Sequence, residues 1–309
     1  MDTPQPEVKK KPGRPPTKKE IHVIEQLGIV DKPGNKNNCL EFVYSDPLAF
    51  KNIFMYFKNI KTKQIHIQWT PKSMTFFVKD HLNTQRNVIE IDGSITTRYY
   101  CPSEKLMFIS MDKAEKVFSA IDTSFNTISF IQECDNASIL NILLYNSEIK
   151  KESTYKIEIA NFQPDEELYA AKHYLVRESL ESYPILFTLS SKNFKKTISD
   201  FMSIIGNGTD TIFLEKDSDG PLNFSYSGID INYRETYHEP KDIKLRDKTN
   251  NISFRVQIKI ANLKSLYNAM LSNDINIYAK EDADMIFTTC VEDVPKSKSI
   301  VVSTVLKIV

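Results

Sequence analysis

Phe50-Lys51-Asn52-Ile53-Phe54-Met55-Tyr56-Phe57-Lys58 and Phe194-Lys195-Lys196-Thr197-Ile198-Ser199-Asp200-Phe201 are the two stretches whose reading decides the fold. Each places phenylalanine at its first and eighth positions with lysine second, so each reads as an amphipathic helix with an aromatic stripe turned to a core. They stand at an offset of 144. Asp46 supplies an N-cap and Pro47 a first helical position for the earlier helix, which runs to about residue 58; the later one spans 191–205. A second pair recurs at an offset of 149, Val117-Phe118-Ser119-Ala120-Ile121 against Leu266-Tyr267-Asn268-Ala269-Met270, in helices expected at 112–122 and 261–272.

Strand patterns surround both pairs in the same order. The first half has β-rich runs at 40–44, 64–69, 73–79, 87–92, 106–111, 127–132, 139–145 and 155–160. The second has them at 185–189, 211–215, 222–226, 229–237, 252–260, 275–279, 285–290 and 300–308. The sequence therefore predicts an α+β chain in which one domain occurs twice. A basic arm (1–36), too poor in apolar residues to fold and expected to be disordered, precedes the first copy (37–161), and an acidic, tyrosine-containing connector (162–182) leads to the second (183–309).

Composition narrows the chemistry. The 309 residues are 41% hydrophobic, enough for a substantial core, and 40 Lys plus Arg balance 40 Asp plus Glu, so cationic function requires uneven placement of charge. Only eight glycines are present, which makes phosphate-cradling loops scarce, and Gly206-Asn207-Gly208 lacks the rest of such a motif and reads as a turn. Cys39, Cys101, Cys134 and Cys290 form no C-x-x-C pair, and no histidine stands at metal-ligand spacing beside them. Glu166-Glu167 and Glu292-Asp293 belong to no catalytic constellation and read as solvated loops. Neither a cofactor, a metal nor an enzymatic activity is expected. With no signal peptide and no apolar run of spanning length, an intracellular protein with reduced thiols and no membrane association is expected.

Four stretches carry a resemblance to a known family: Lys11 to Pro16 (K-P-G-R-P-P), Phe50-Lys51-Asn52 through Tyr56-Phe57-Lys58-Asn59, Tyr237-His238-Glu239, and Lys259-Ile260-Ala261 through Lys264-Ser265-Leu266. Over nearly its whole length the chain resembles DNA polymerase sliding clamps of the proliferating cell nuclear antigen type, and most closely the clamp-like proteins of asfarviruses and related large DNA viruses. The resemblance implies two tandem clamp domains with antiparallel sheets outside and two helices per domain on an inner face. It further implies a homotrimeric ring around double-stranded DNA, held without sequence preference. The partners implied are a DNA polymerase and other replication proteins, and the location is the cytoplasmic viral factory, with the nucleus as a second site.

A clamp that slides must neutralise phosphate without reading bases. Lys51, Lys58, Lys113, Lys116, Lys192, Lys195, Lys196 and Lys264 on the four helices are the candidates, against the plainer reading of a solvated helix face. Ring closure requires exposed strand edges. Alignment of element order puts them at 137–145, with Ile139, Ile142 and Leu144, and at 230–237, with Ile231, Tyr233 and Tyr237. The partner pocket the resemblance implies maps to the connector (Phe162, Leu168, Tyr169), the turn at His81 and the last strand. His81 also reads as an ordinary surface-turn histidine, and 165–172 reads as a helical turn or two.

Pro12-Gly13-Arg14-Pro15 resembles an AT-hook core, with Arg14 for the minor groove and flanking lysines for phosphate, although proline stands where hooks carry a second arginine. A nuclear-import-like cluster and a solubilising tail are the alternatives for the arm. For the whole chain the alternatives are a monomeric or dimeric herpesvirus-type factor holding DNA by charge, and an architectural DNA-binding protein acting through the hook. A DNA-contacting arm makes a measurable difference: deleting residues 1–36 is expected to weaken binding to duplex DNA and flatten its salt dependence. Identical binding across a salt series contradicts a DNA role for the arm.

Overall fold

The computed structural model describes residues 27–160, 164–166, 168–170, 183, 185–205, 211–217, 220–238, 253–263, 274–279, 285–290 and 300–306. The first half begins with β1 (Asn38–Tyr44), α1 (Pro47–Asn59), β2 (Gln64–Trp69), β3 (Ser73–Lys79) and β4 (Gln85–Asp92). It continues with β5 (Arg98–Tyr100), β6 (Lys105–Ser110), α2 (Met111–Phe118), β7 (Thr127–Glu133), β8 (Ile139–Asn146) and β9 (Lys151–Glu158). The second half has β10 (Ile185–Ser190), α3 (Ser191–Ile205), β11 (Thr211–Lys216), β12 (Leu222–Ser227), β13 (Asn232–Tyr237) and β14 (Phe254–Lys259). Helical residues 260–263 follow, then β15 (Asp274–Ala279), β16 (Met285–Cys290) and β17 (Val301–Leu306).

Local chemistry sets the helices. The Asp46 carboxylate accepts from the N–H groups of Leu48 and Ala49 at 3.0 and 3.3 Å, and Pro47 opens α1 where its missing N–H costs nothing. Ser190 does the same for α3, its hydroxyl accepting from Asn193 N–H at 3.2 Å. The helix expected at 112–122 is shorter: Ser110 caps it and it ends at Phe118, after which tighter turns carry Ile121 into the core. The three-residue β5 is too short to show a period of two and leaves no strand signal in the sequence.

All ladders are antiparallel, and they repeat. In the first half β5-β1-β7-β8-β9 form one sheet and β4-β3-β2-β6 run together; in the second, β10-β15-β16-β17 and β13-β12-β11-β14 do the same. The β1-β7-β8-β9 order is thus the β10-β15-β16-β17 order again, and β4-β3-β2-β6 is β13-β12-β11-β14. The halves are joined by their strands: β17 pairs with β4 from Val301↔Glu90 to Leu306↔Gln85, making one eight-stranded sheet across both. Thr84 and Asn262 add a hydrogen bond of 3.2 Å between the halves.

Each half has its own core. The first is aromatic: Phe42, Phe50, Phe76, Phe130, Trp69 and Tyr99 are fully enclosed, with Phe42 edge-on to Phe50 at 5.6 Å and to Phe130 at 5.5 Å. The second collects Phe187, Phe194, Phe201, Leu214, Phe224 and Ile277. Phe50 and Phe57 of α1, and Phe194 and Phe201 of α3, all reach their cores as the stripe predicts.

Residues 27–35, expected to belong to a disordered arm, are instead bound to the fold: Leu27 and Val30 N–H donate to the Thr97 and Tyr99 carbonyls at 2.9 Å, and one carboxylate holds the turn that follows. Glu41 accepts from the N–H groups of Gly34 and Asn35 at 2.8 and 3.0 Å, from Asn38 at 2.7 Å and from Arg98 Nε at 2.7 Å. Burial alone would push this carboxyl up, but the donors outweigh it and hold it below its ordinary value.

Candidate nucleic-acid interface

The exposed face of α3 carries Lys192, Lys196, Ser199 and Ser203, spaced so that they share one side, with Lys195 half-buried on its flank. No ion-pair partner among the described residues faces Lys116, Lys192, Lys195 or Lys196. The other helix lysines are engaged within the chain. Lys51 Nζ donates to the Ile121 carbonyl at 2.6 Å, Lys58 pairs with Glu115 across α1 and α2, and Lys113 pairs with Glu158 of β9 at 2.8 Å. The Lys58 and Lys113 pairs are solvent-exposed, hence weak and readily exchanged for a phosphate. Arg14 and Lys264 lie outside the described residues, as do the hook-like motif and Phe162.

The edge strand of the first half differs from the expectation. β8 lies between β7 and β9, and its Ile142 and Leu144 are fully buried in the core while Ile139 is half-buried. The edge strand beyond β8 is β9, unpaired on its outer side among the described residues, whose polar Lys-Glu-Ser-Thr sequence does not look like an interface but is how natural edges are protected from indiscriminate pairing. In the second half β13, inside the expected stretch, is an edge strand with no partner beyond β12 among the described residues. Ile231, 51% exposed, stands in the turn before it beside the fully exposed Ile229. Tyr233 and Tyr237 turn inward: the Tyr233 ring meets Phe201 edge-on at 4.9 Å, and the Tyr237 hydroxyl bonds Thr197.

The described part of the connector, residues 164–166 and 168–170, packs on the eight-stranded sheet. Asp165 caps its helical turn, accepting from Leu168 N–H at 3.0 Å, and forms an ion pair with Lys79 of β3. Burial would raise the Asp165 carboxyl, but Lys79 and the Leu168 N–H hold it below its ordinary value. Leu168 is enclosed with Phe77, Val88, Tyr183 and Ile286, which ties the two halves together a second time; burial of such a side chain contributes ~1.5–3 kcal/mol. The Tyr169 hydroxyl lies 3.0 Å from His66 Nδ1, and its ring meets Phe77 edge-on at 5.0 Å. His81 is exposed in the β3–β4 turn, apart from these contacts. His66 and Phe77 are not singled out by the sequence reading, yet β3 is buried on both faces, and an apolar run without alternation is the signal of a strand covered twice.

Among the described residues no three metal-ligating side chains converge, and no helix is long and apolar enough to cross a membrane. No protein-family model matches the chain. An uncharacterized protein of African swine fever virus, from the Malawi tick isolate and from the Badajoz strain alike, is 34% identical over 284 residues, covering 91% of this chain and 93% of the relative. The chain belongs to this asfarvirus protein family. A crystal structure of proliferating cellular nuclear antigen from Entamoeba histolytica matches 88% of this asfarvirus-family chain and 99% of its own, with a TM-score of 0.68. At 12% identity that likeness shows the fold alone, and the fold is the two-domain clamp fold.

The connector contact gives this asfarvirus-family chain a pH dependence. Burial pushes the His66 imidazole from 6.5 down to about 4, with Asp165 opposing and Lys79 assisting. Between those values the unfolded chain binds a proton that the folded chain does not, so stability is full above 6.5 and falls as pH drops toward about 4. The urea midpoint is expected to be lower at about pH 5 than at about pH 7, and His66→Phe to shrink that difference. An unaltered difference in the variant contradicts the assignment to His66.

Proposed function

We propose that the chain is a viral sliding clamp: three copies join head to tail into a ring that encircles duplex DNA and tethers a replicative polymerase. One observation carries the reading. β17 pairs with β4 inside the chain, while their counterparts in the repeated topology, β9 and β13, have no partner on the corresponding side among the described residues. The two edges are different surfaces, so their pairing is heterologous and repeats from chain to chain until it closes. Three chains give six clamp units, the number the clamp resemblance implies.

The register of that junction follows from the internal one. Carrying the β17–β4 pairing through the equivalent ladders sets Tyr155 opposite Tyr233, Thr154 opposite Arg234 and Ser153 opposite Glu235. The main chain is oriented for it. Just past β9, Ile159 N–H donates toward β8 at Ser138 O and Ala160 N–H donates the other way to Phe108 O, so alternate residues, Thr154 among them, aim their N–H at the open edge. In such a ring Lys116, Lys192, Lys195 and Lys196, which meet no ion-pair partner among the described residues, supply mobile positive charge for the phosphate backbone. With Lys51 held by the Ile121 carbonyl and the exposed Lys58 and Lys113 pairs exchangeable for phosphate, charge lets the duplex slide while ring closure keeps it from leaving.

Retention on DNA tests this. Once loaded on circular duplex, the protein is expected to survive high salt and to leave when the circle is linearised. Thr154→Pro, which removes one outward donor and leaves the β8 side intact, is expected to abolish salt-resistant retention while keeping low-salt binding. Equal loss from circles and linear DNA as salt rises contradicts the ring.

A further inference from the structure

Cys39 and Cys134, remote in sequence, meet at one end of the five-stranded sheet. The β1–β7 ladder pairs Asn38 with Glu133 and then slips between Asn38 and Leu40, which makes Cys39 the extra residue of a bulge. Beside it the Cys134 N–H donates to Asn37 O at 2.7 Å, which sets Cys134 next to the bulge that carries Cys39. Lys105 Nζ donates to Cys39 Sγ at 3.2 Å and to Gln132 Oε1 at 3.0 Å, and the Cys39 thiol donates to that same oxygen at 3.3 Å. Cys134 is exposed and Cys39 half-buried, so small oxidants reach both. Cys101 is the outlier: it is buried, its thiol donates to Ser103 O at 3.0 Å, and burial pushes it up to about 11, which keeps it protonated and unreactive.

We propose that Cys39 and Cys134 are a reversible redox-modification site, closing to a disulfide under hydroperoxide, with Lys105 positioning and neutralising the reacting sulfur. The Cys39 sulfur attacks one peroxide oxygen, the O–O bond breaks, and the departing oxygen leaves as water, giving a sulfenic acid. The Cys134 sulfur then attacks that sulfur, and its thiol proton leaves with the hydroxyl as a second water. Two thiols and one peroxide become one disulfide and two waters, two electrons passing from sulfur to oxygen. Cys39 acts first because the Lys105 ammonium lies against it as negative charge develops. Cys134 is held above its ordinary value, by desolvation first and then by Cys39 and Asp135, which suits the second, resolving role. The bridge ties the start of β1 to the turn after β7, beside the Glu41-anchored segment. A cross-link between positions so far apart in the chain restricts the unfolded state.

The test uses the full chain, reduced, desalted and treated with hydrogen peroxide, then alkylated, digested and read by mass spectrometry. The expected product is a Cys39–Cys134 cross-linked peptide about 2 Da lighter than its two halves, restored by dithiothreitol, with a raised urea midpoint for the oxidised chain. Cys134→Ser is expected to leave a sulfenic acid on Cys39 that dimedone traps. Lys105→Gln is expected to slow bridge formation by about tenfold and Lys105→Arg to restore it, with Cys101→Ser unchanged. Circular dichroism checks that each variant is folded. Bridges to other cysteines, sulfinic acid without a bridge, a covalent Lys105–Cys39 adduct, or an unaltered rate in folded Lys105→Gln overturns the proposal.

Discussion

A strand at the rim of an antiparallel sheet carries a row of N–H and C=O groups that only another strand or water can satisfy. In this chain β17 satisfies the rim of β4, and the two halves become one eight-stranded sheet instead of two linked units. Each such hydrogen bond contributes only ~0.5–1.5 kcal/mol net, yet a ladder running from Val301 to Leu306 fixes register and direction as well as adding energy. Leu168 of the connector reinforces the seam, buried between side chains of both halves. The remaining architecture depends on this junction, because a chain that joins its halves in this way must expose the counterpart edges at its two ends.

The two open edges are unlike each other. β9 is polar, with Lys151, Glu152, Thr154 and Lys156 exposed, whereas β13 is preceded by the exposed Ile229 and Ile231. Two identical edges would invite pairing with each other; two different ones favour a single direction of assembly. The helices have a comparable division of labour. Their aromatic stripes fill the cores, and their outward faces offer lysines, some tethered by carboxylates and some not.

Much of this is legible in the sequence because it is local. The Phe50–Phe57 and Phe194–Phe201 stripes, the cap at Asp46 and the repeated order of strands all follow from period and propensity. What a sequence reading gets wrong depends on contacts between distant positions. Alignment of element order puts a rim at 137–145, but β8 is flanked on both sides by β7 and β9, and its apolarity is that of a covered strand, while the polar β9 forms the rim. That Lys58 meets Glu115, Lys113 meets Glu158 and Lys51 meets the Ile121 carbonyl is set by how α1, α2 and β9 pack, which no local pattern encodes. His66, Tyr169 and Asp165 likewise converge only once the connector folds back over the sheet.

The pairing of β9 with β13 between chains is the step on which the clamp reading turns, and the mass of the particle in solution measures it most directly. Light scattering on the reduced full-length protein at micromolar concentration should give three times the 35.6 kDa chain mass. A single 35.6 kDa species under those conditions would mean that the two edges do not meet.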